Sequence, residues 1–362
     1  MISTSTFPSV HHRISRIILA AVPVFFLCLA LSGCATKVRV NMLQPAAYHQ
    51  ASLTKAVAVL PFSGPGGTDF AAEIEGVLGS INIDDRPYFS LVDRQSLDRI
   101  ISEQKFSQSG LVDPNTAAKL GRMVGAQGIY TGTVTASEVK ERRYREQRKE
   151  CIEREAKKKD AGFFDVPKCL RYRNYTVNCL KRDVTFAVTP KLIDVSTGRV
   201  LYSRNLGDSA NSSGCSDGTQ PKGGDELLEQ VKGTAKAQFR KDVAPFYVTV
   251  EIGLLDTTDG IPAAEPKDTL KRGIEYADRG RLDAACELWG SARIQAPASP
   301  ALLFNLGVCA ESRGDADAAL SLYRQADKLL GKPDDEITSA LNRVSTVIKN
   351  RKKLEQQLRP QG

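Results

Sequence analysis

The chain has 362 residues, enough for two domains, and 50 Lys and Arg against 42 Asp and Glu give it a formal net charge of +8. It has only 3 histidines, and removal of an N-terminal leader that holds His11 and His12 leaves His49 alone. Most histidine-based acid–base, nucleophile-activating and metal sites are thereby excluded. His49 itself falls in a Gln/Ala/Tyr-rich tether, Gln44 to Ala51, where a solvated linker residue is expected.

The first predicted element is that leader. His11, His12, Arg13 and Arg16 form a polar, basic lead to Ile17–Leu31, an apolar run broken only by the helix-disfavouring Pro23. The run is too short for a comfortable transmembrane helix and has the length of a signal h-region. Leu31-Ser32-Gly33-Cys34 follows: an aliphatic residue, two small residues, then a cysteine, the pattern of a lipobox. In this segment the chain resembles bacterial lipoproteins. That resemblance implies a signal peptide of residues 1–33 and Cys34 as residue one of the mature chain, with diacylglycerol on its thiol and a further acyl chain on its amine. One acyl chain holds a protein marginally, whereas several hold it firmly. Residue two is Ala35 and not the Asp that retains many lipoproteins in the inner membrane, so the implied address is the periplasmic side of the outer membrane.

Residues 34–54 read as an acylated tether with a short strand at Lys37 to Met42. Ala56 to Phe62 is a compact apolar run of strand length, broken by Ser63-Gly64-Pro65-Gly66-Gly67. A helix follows, with Phe70, Ile74, Val77, Leu78 and Ile81 at helical spacing. No Gly-Lys-Ser/Thr closes the glycine-rich turn, so it is read as a plain turn and not a phosphate loop. Phe89 to Val92 is a short strand, and Asp93 caps a helix carrying Leu97, Ile100 and Ile101. Asp113-Pro114 starts the helix Asn115 to Val124, whose expected buried side is Ala118, Leu120 and Met123. Ile129 to Val139 begins as a strand. Asp183 to Val195 and Arg199 to Asn205 form a hairpin about Ser196-Thr197-Gly198. A helix from Glu226 to Val243 and a strand from Tyr247 to Leu255 close the unit. Mixed strands with intervening helices give an α/β domain over residues 55–256.

Four ordered segments carry a family resemblance: Ala56 to Phe62; Phe89 to Leu97, FSLVDRQSL; Gly125 to Val134, GAQGIYTGTV; and Leu192 to Leu201, LIDVSTGRVL. With their connecting segments they resemble the CsgG-like curli-secretion lipoproteins, whose core is shared with the lipoprotein activators of peptidoglycan synthases. The resemblance implies a mixed sheet with flanking helices, of the kind also found in TolB N-terminal domains. It further implies a lipid anchor, work in envelope assembly or export, and no catalytic residues. Curli-type channels insert two apolar-alternating hairpins into a transmembrane barrel. Here the first insertion point holds a charged segment, residues 140–182, with Arg142-Arg143-Tyr144-Arg145 and Lys157-Lys158-Lys159. Each such charge facing lipid would cost about 2–4 kcal/mol near the midplane. The second insertion point, Ser209 to Gly224, is too short for a spanning hairpin, and the expectation is the periplasmic domain without the pore.

Lys140 to Glu155 is read as a charged, exposed helix, either a solvated decoration or a basic patch for anionic headgroups, glycan or an acidic partner. Cys151, Cys169, Cys179 and Cys215 lie in or near this insert. In an oxidising compartment an even count favours disulfides, and zinc is disfavoured because there is no Cys-x-x-Cys pair and no nearby histidine. Three pairings are open; Cys151 with Cys169 and Cys179 with Cys215 is the one preferred.

Residues 257–266 read as a linker, and beyond it lies an internal repeat. Gly273, Gly280, Ala285, Trp289 and Ala292 recur as Gly307, Gly314, Ala319, Tyr323 and Ala326, an offset of thirty-four residues and the tetratricopeptide period. Two repeats over 267–333 are expected, with helices Thr269–Arg279, Leu282–Gln295, Pro300–Ser312 and Ala316–Leu330, followed by a capping helix and tail at 334–362. The fold class is therefore α/β followed by an all-α array of helical hairpins. Cys286 and Cys309 fall on neighbouring helices, as a third disulfide or as two buried thiols.

The function expected from the sequence is a non-enzymatic outer-membrane lipoprotein, an adaptor in envelope assembly or export. Regulation of a peptidoglycan synthase and a subunit of a secretion channel are the alternatives. No cofactor, metal or nucleic acid is expected. The expected partners are the outer membrane, through the acyl chains, and envelope proteins or peptides, through the repeats; a homo-oligomer is left open.

Overall fold

Ala56–Val59 (β2) is apolar at every position, and a strand with no polar face must be covered on both sides. The computed structural model, which describes residues 36–103, 113–156 and 166–359, places it inside a six-stranded mixed sheet. β2 runs parallel to Ser90–Leu91 (β5) and to Gly128–Arg154 (β6). β6 pairs antiparallel with Cys169–Asp194 (β7), from Gly128 opposite Asp194 to Arg154 opposite Cys169. The far edge of β7 carries Val200–Ser203 (β8) at one end and Leu206–Cys215 (β9) further along.

Helices cover both faces of this sheet. Gly67–Gly79 (α2) and Gly224–Val243 (α5) bury Phe70, Ile74, Leu78, Val231 and Phe239 against Tyr130, Phe186 and Leu192. Arg94–Glu103 (α3) and Pro114–Met123 (α4) bury Leu97, Ala117 and Leu120 against Leu60, Ile129 and Ile193 on the other face. Asp113 starts α4 as expected, its Oδ1 accepting from the backbone N–H of Asn115 and Thr116. Met123, read as buried, is 44% exposed; Gly121 takes the inward position instead. The glycine-rich turn is a backbone junction. Gly64 has φ 87 and lies so close to Val134 that a Cβ there would strike the Val134 carbonyl. The short Asn82–Ile83 (β3) and Arg86–Pro87 (β4) form a hairpin whose two turn residues, Asp84 and Asp85, both have positive φ.

The tether expectation is corrected. The strand read at Lys37 to Met42 is present and runs on to Gln44 (Lys37–Gln44, β1), whereas His49–Leu53 is a short helix (α1) with Ala51 and Ser52 buried. His49 is thus a half-buried helix residue whose Nδ1 lies 3.3 Å from Gln357 Nε2, and not a solvated linker residue. The α/β unit comprises Leu43–Tyr247 together with the C-terminal stretch from Asn350. Phe246–Gly253 (β10) does not close the six-stranded sheet. It pairs with β1 in a separate two-stranded sheet, because the alternating Val38, Val40 and Met42 on one strand and Ile252 on the other bury into the helical core.

That second unit, mainly Val248–Lys349, contains Ala264–Asp278 (α6), Leu282–Gln295 (α7), Pro300–Ser312 (α8), Ala316–Leu330 (α9) and the first part of Asp335–Leu358 (α10). The two hairpins repeat one contact. A Cβ on Gly273 would run into the Trp289 ring, and one on Gly307 into the Tyr323 ring. Small residues at these crossings let each aromatic side chain fill the gap between its two helices. Asn305, fully buried, exchanges two hydrogen bonds with the backbone of Leu255, at 3.0 and 2.9 Å, and ties α8 to the segment after β10.

Candidate functional site

The feature that sets the α/β unit apart is the length of β6 and β7. Both strands outrun the helices, and beyond residue 140 they form a ribbon of mostly exposed residues. Lys140 to Glu155 was expected as a helix and is strand almost throughout. Its alternating Arg, Glu and Lys suit either state, so the partner decides: Tyr172, Tyr175, Thr176 and Val177 on β7 are strong strand formers. A bulge between Val134 and Ala136 shifts the register by one, so odd residues of β6 share a face with even residues of β7 along the ribbon.

One ribbon face is built mostly from ion pairs, with Arg142 placed over the Tyr144 ring. Glu138 holds Lys140, Glu146 holds Arg148, Glu150 holds Arg173, and Glu153 holds Arg171. Asp217, in the loop after β9, takes Arg148 at 2.9 Å and accepts a hydrogen bond from the Tyr175 hydroxyl at 2.9 Å. That bond to a carboxylate pushes the Tyr175 phenol above its usual range. Val177 and the bridge Cys179–Cys215 are buried on this face, with Tyr144 and Tyr175 against them. The other face has one pair at its base, Glu141 with Arg182, and then Arg143, Arg145 and Lys149. Among the described residues these three have no acidic partner.

The six cysteines singled out by the sequence stand as Cys151–Cys169, Cys179–Cys215 and Cys286–Cys309. The first closes the ribbon near its tip, and the second clamps β9 to β7, where the two residues face each other in register. The third joins α7 to α8. Glu146, Cys179 and Cys215 are close enough together to hold a metal, but a bridged pair offers no thiolate. Cys34 lies outside the described residues, as does Lys157-Lys158-Lys159. No helix among the described residues is long and apolar enough to cross a membrane.

Sequence reasoning missed two polar clusters. In the first, Lys55 Nζ donates to the Gln357 carbonyl at 2.8 Å and sits 3.2 Å from the centre of the Tyr88 ring, beside a cavity of about 620 Å³. Burial pulls the Lys55 ammonium down to about 7, while the Tyr88 phenol, pushed up by its own burial to about 12, donates to the carbonyls of Ser52 and Gln357. Gln357 is fully buried and pairs with the backbone of Ala46 through both its Oε1 and Nε2. A C-terminal glutamine in a polar tail gives no sequence signal of this. In the second cluster, Glu311 on α8 accepts two hydrogen bonds from Arg343 on α10, at 2.6 and 2.9 Å, and one from the Tyr323 hydroxyl at 2.6 Å. Burial alone would lower the Arg343 pKa, and the Glu311 carboxylate more than reverses that. Neither cluster sets a nucleophile beside a general base.

A mixed sheet covered on both faces and a following run of helices define the class: an α/β domain with a helical extension. Residues 82–241 match the family described as curli production assembly/transport component CsgG, so the chain carries a CsgG-family domain over that stretch. No curated protein matches the chain. Among solved structures, the LpoB C-terminal domain from Salmonella enterica is 15% identical, covering 45% of this chain and 95% of its own, with a TM-score of 0.24. Lipoprotein GNA1162 from Neisseria meningitidis is 13% identical, covering 51% and 97%, with a TM-score of 0.26. A PelC dodecamer from Paraburkholderia phytofirmans is 14% identical, covering 56% and 98%, with a TM-score of 0.24.

Proposed function

We propose that this chain is a non-enzymatic scaffold of the bacterial envelope. Cys34 is acylated and anchors it to the periplasmic side of the outer membrane. The α/β unit serves assembly or export without forming a pore of its own, and the two helical hairpins, read as tetratricopeptide repeats, hold protein or peptide partners. The match of residues 82–241 to the CsgG family carries this reading. The ribbon supports its poreless form: charged side chains occupy both faces beyond residue 140, so neither face offers the apolar row that a lipid-facing strand requires.

Crosslinking in intact envelopes, followed by purification of the chain, tests the proposal. Assembly or export proteins are expected to co-purify, through contacts that fail when the repeats are deleted. Recovery of a peptidoglycan synthase bound through the α/β unit would move the chain to the regulator role instead. In planar bilayers the purified protein is expected to give no conductance steps, and discrete channels would refute the poreless form.

A further inference from the structure

The two faces of the ribbon divide its charges unequally. Glu138, Glu146, Glu150, Glu153 and Asp183 are each engaged by a basic residue on the face that holds the Cys179–Cys215 bridge. Past the Glu141–Arg182 pair and as far as Lys149, the charged side chains of the opposite face among the described residues are all cations: Arg143, Arg145 and Lys149, each exposed. Same-face neighbours on a strand lie about 6.5–7 Å apart, so these three charges span about 20 Å of a nearly straight row.

The row beside them is neutral and polar. In register with Arg145, Gln147 and Lys149 stand Asn178, Thr176 and Asn174, and the row ends at Tyr172, whose side chain is 61% exposed. At its base the face deepens into a cleft of about 540 Å³, where Arg143 and Arg145 meet Asn178, Ser216 and Gln220. Guanidinium forks suit carboxylates and other oxyanions. Amides and hydroxyls both donate and accept, as a hydroxyl-rich ligand needs, and an exposed tyrosine offers a ring for a sugar face to stack on.

We propose that this face binds a linear acidic polysaccharide, lying along the ribbon with its anionic groups on Arg143, Arg145 and Lys149 and one end in the cleft. A lipid surface fits less well, because the row offers hydrogen-bonding side chains where a bilayer interface would favour apolar ones. A single-stranded nucleic acid would call for repeated aromatic platforms, and the row has one, at its end. The inference stands on the ribbon alone and does not depend on the anchor or on the repeats.

Isothermal titration of the full chain with alginate oligosaccharides, a polyuronate probe, tests it. Saturable binding that weakens with salt is expected. The triple variant Arg143→Gln, Arg145→Gln, Lys149→Gln should lose at least tenfold in affinity. The variant Lys140→Gln, Arg171→Gln, Arg173→Gln removes the same charge from the opposite face and should stay within about threefold of the parent. Tyr172→Ala should weaken binding without changing its salt dependence. The proposal is overturned if alginate does not bind, or if both triple variants lose affinity equally. It is also overturned if a DNA oligomer binds more tightly than alginate, or if phosphatidylglycerol vesicles bind a chain carrying Cys34→Ser more tightly than alginate does. None of these outcomes bears on whether Cys34 is acylated or whether the repeats hold a partner.

Discussion

Replacing Glu311 tests whether the start of α10 is structurally part of the helical array. The carboxylate is 5% exposed, accepts three short hydrogen bonds, and joins three successive helices through Tyr323 and Arg343. Glu311→Ala leaves the Arg343 guanidinium, 15% exposed, without its counter-charge, and strands a buried phenol hydroxyl. Breaking one side of a buried ion pair costs about 3–5 kcal/mol. For a unit of this size, each kcal/mol lowers the midpoint by about 4–8 °C, so thermal unfolding of the helical unit should fall by at least about 12 °C. Glu311→Gln keeps the shape and part of the hydrogen bonding and should lose roughly half as much. The double variant Glu311→Ala, Arg343→Met removes both charges and should recover at least about 1 kcal/mol over the single variant. Calorimetry of the parent, Glu311→Ala, Arg343→Met and the double variant closes the cycle. A coupling below about 0.5 kcal/mol would mean that the pair is ornamental and that α10 is held by its apolar face alone.

Three further changes follow from the same structure. Gly273→Ala and Gly307→Ala each push a methyl into an aromatic ring and should destabilise the helical unit by about 1–3 kcal/mol in urea titrations, with little change if the crossings can spread. Lys55 keeps a proton more tightly in the unfolded chain, near its ordinary 10.4, than in the folded one, at about 7. The unfolded state therefore binds more protons across that interval, and stability of the α/β unit should rise as pH increases from 7 toward 9.5. Denaturant midpoints measured in that range should lose part of the rise in Lys55→Met. The bridge Cys179–Cys215 joins residues 36 apart, for which loop entropy gives an upper figure of about 4 kcal/mol. Replacing both cysteines with serine should expose β9 to limited proteolysis while sparing β2, and equal resistance in the two proteins would show that the sheet holds β9 unaided.

Much of the α/β unit was legible because its signals are local. β2 is an apolar run, Asp113-Pro114 is a capped helix start, and Ser196-Thr197-Gly198 is a turn that Gly198 completes at φ 69. The repeat was legible because two glycines and two aromatic residues recur at one offset, and the structure places each glycine against its aromatic partner. Long-range pairing was not legible. Lys140 to Glu155 has a composition that a helix accepts, and only its register with β7 makes it a strand. β10 has the right residues to close either sheet and pairs with β1, more than two hundred positions away in sequence. The division of ribbon charges between faces could not be read before the Val134/Ala136 bulge was known, since one residue of slip exchanges the faces.

Mass spectrometry of the N-terminus of the protein, taken from envelopes without recombinant processing, bears most directly on the scaffold reading. The account predicts a mature chain beginning at Cys34, with fatty acids on its thiol and its amine. A chain that still carries residues 1–33, with an unmodified Cys34 thiol, would contradict it.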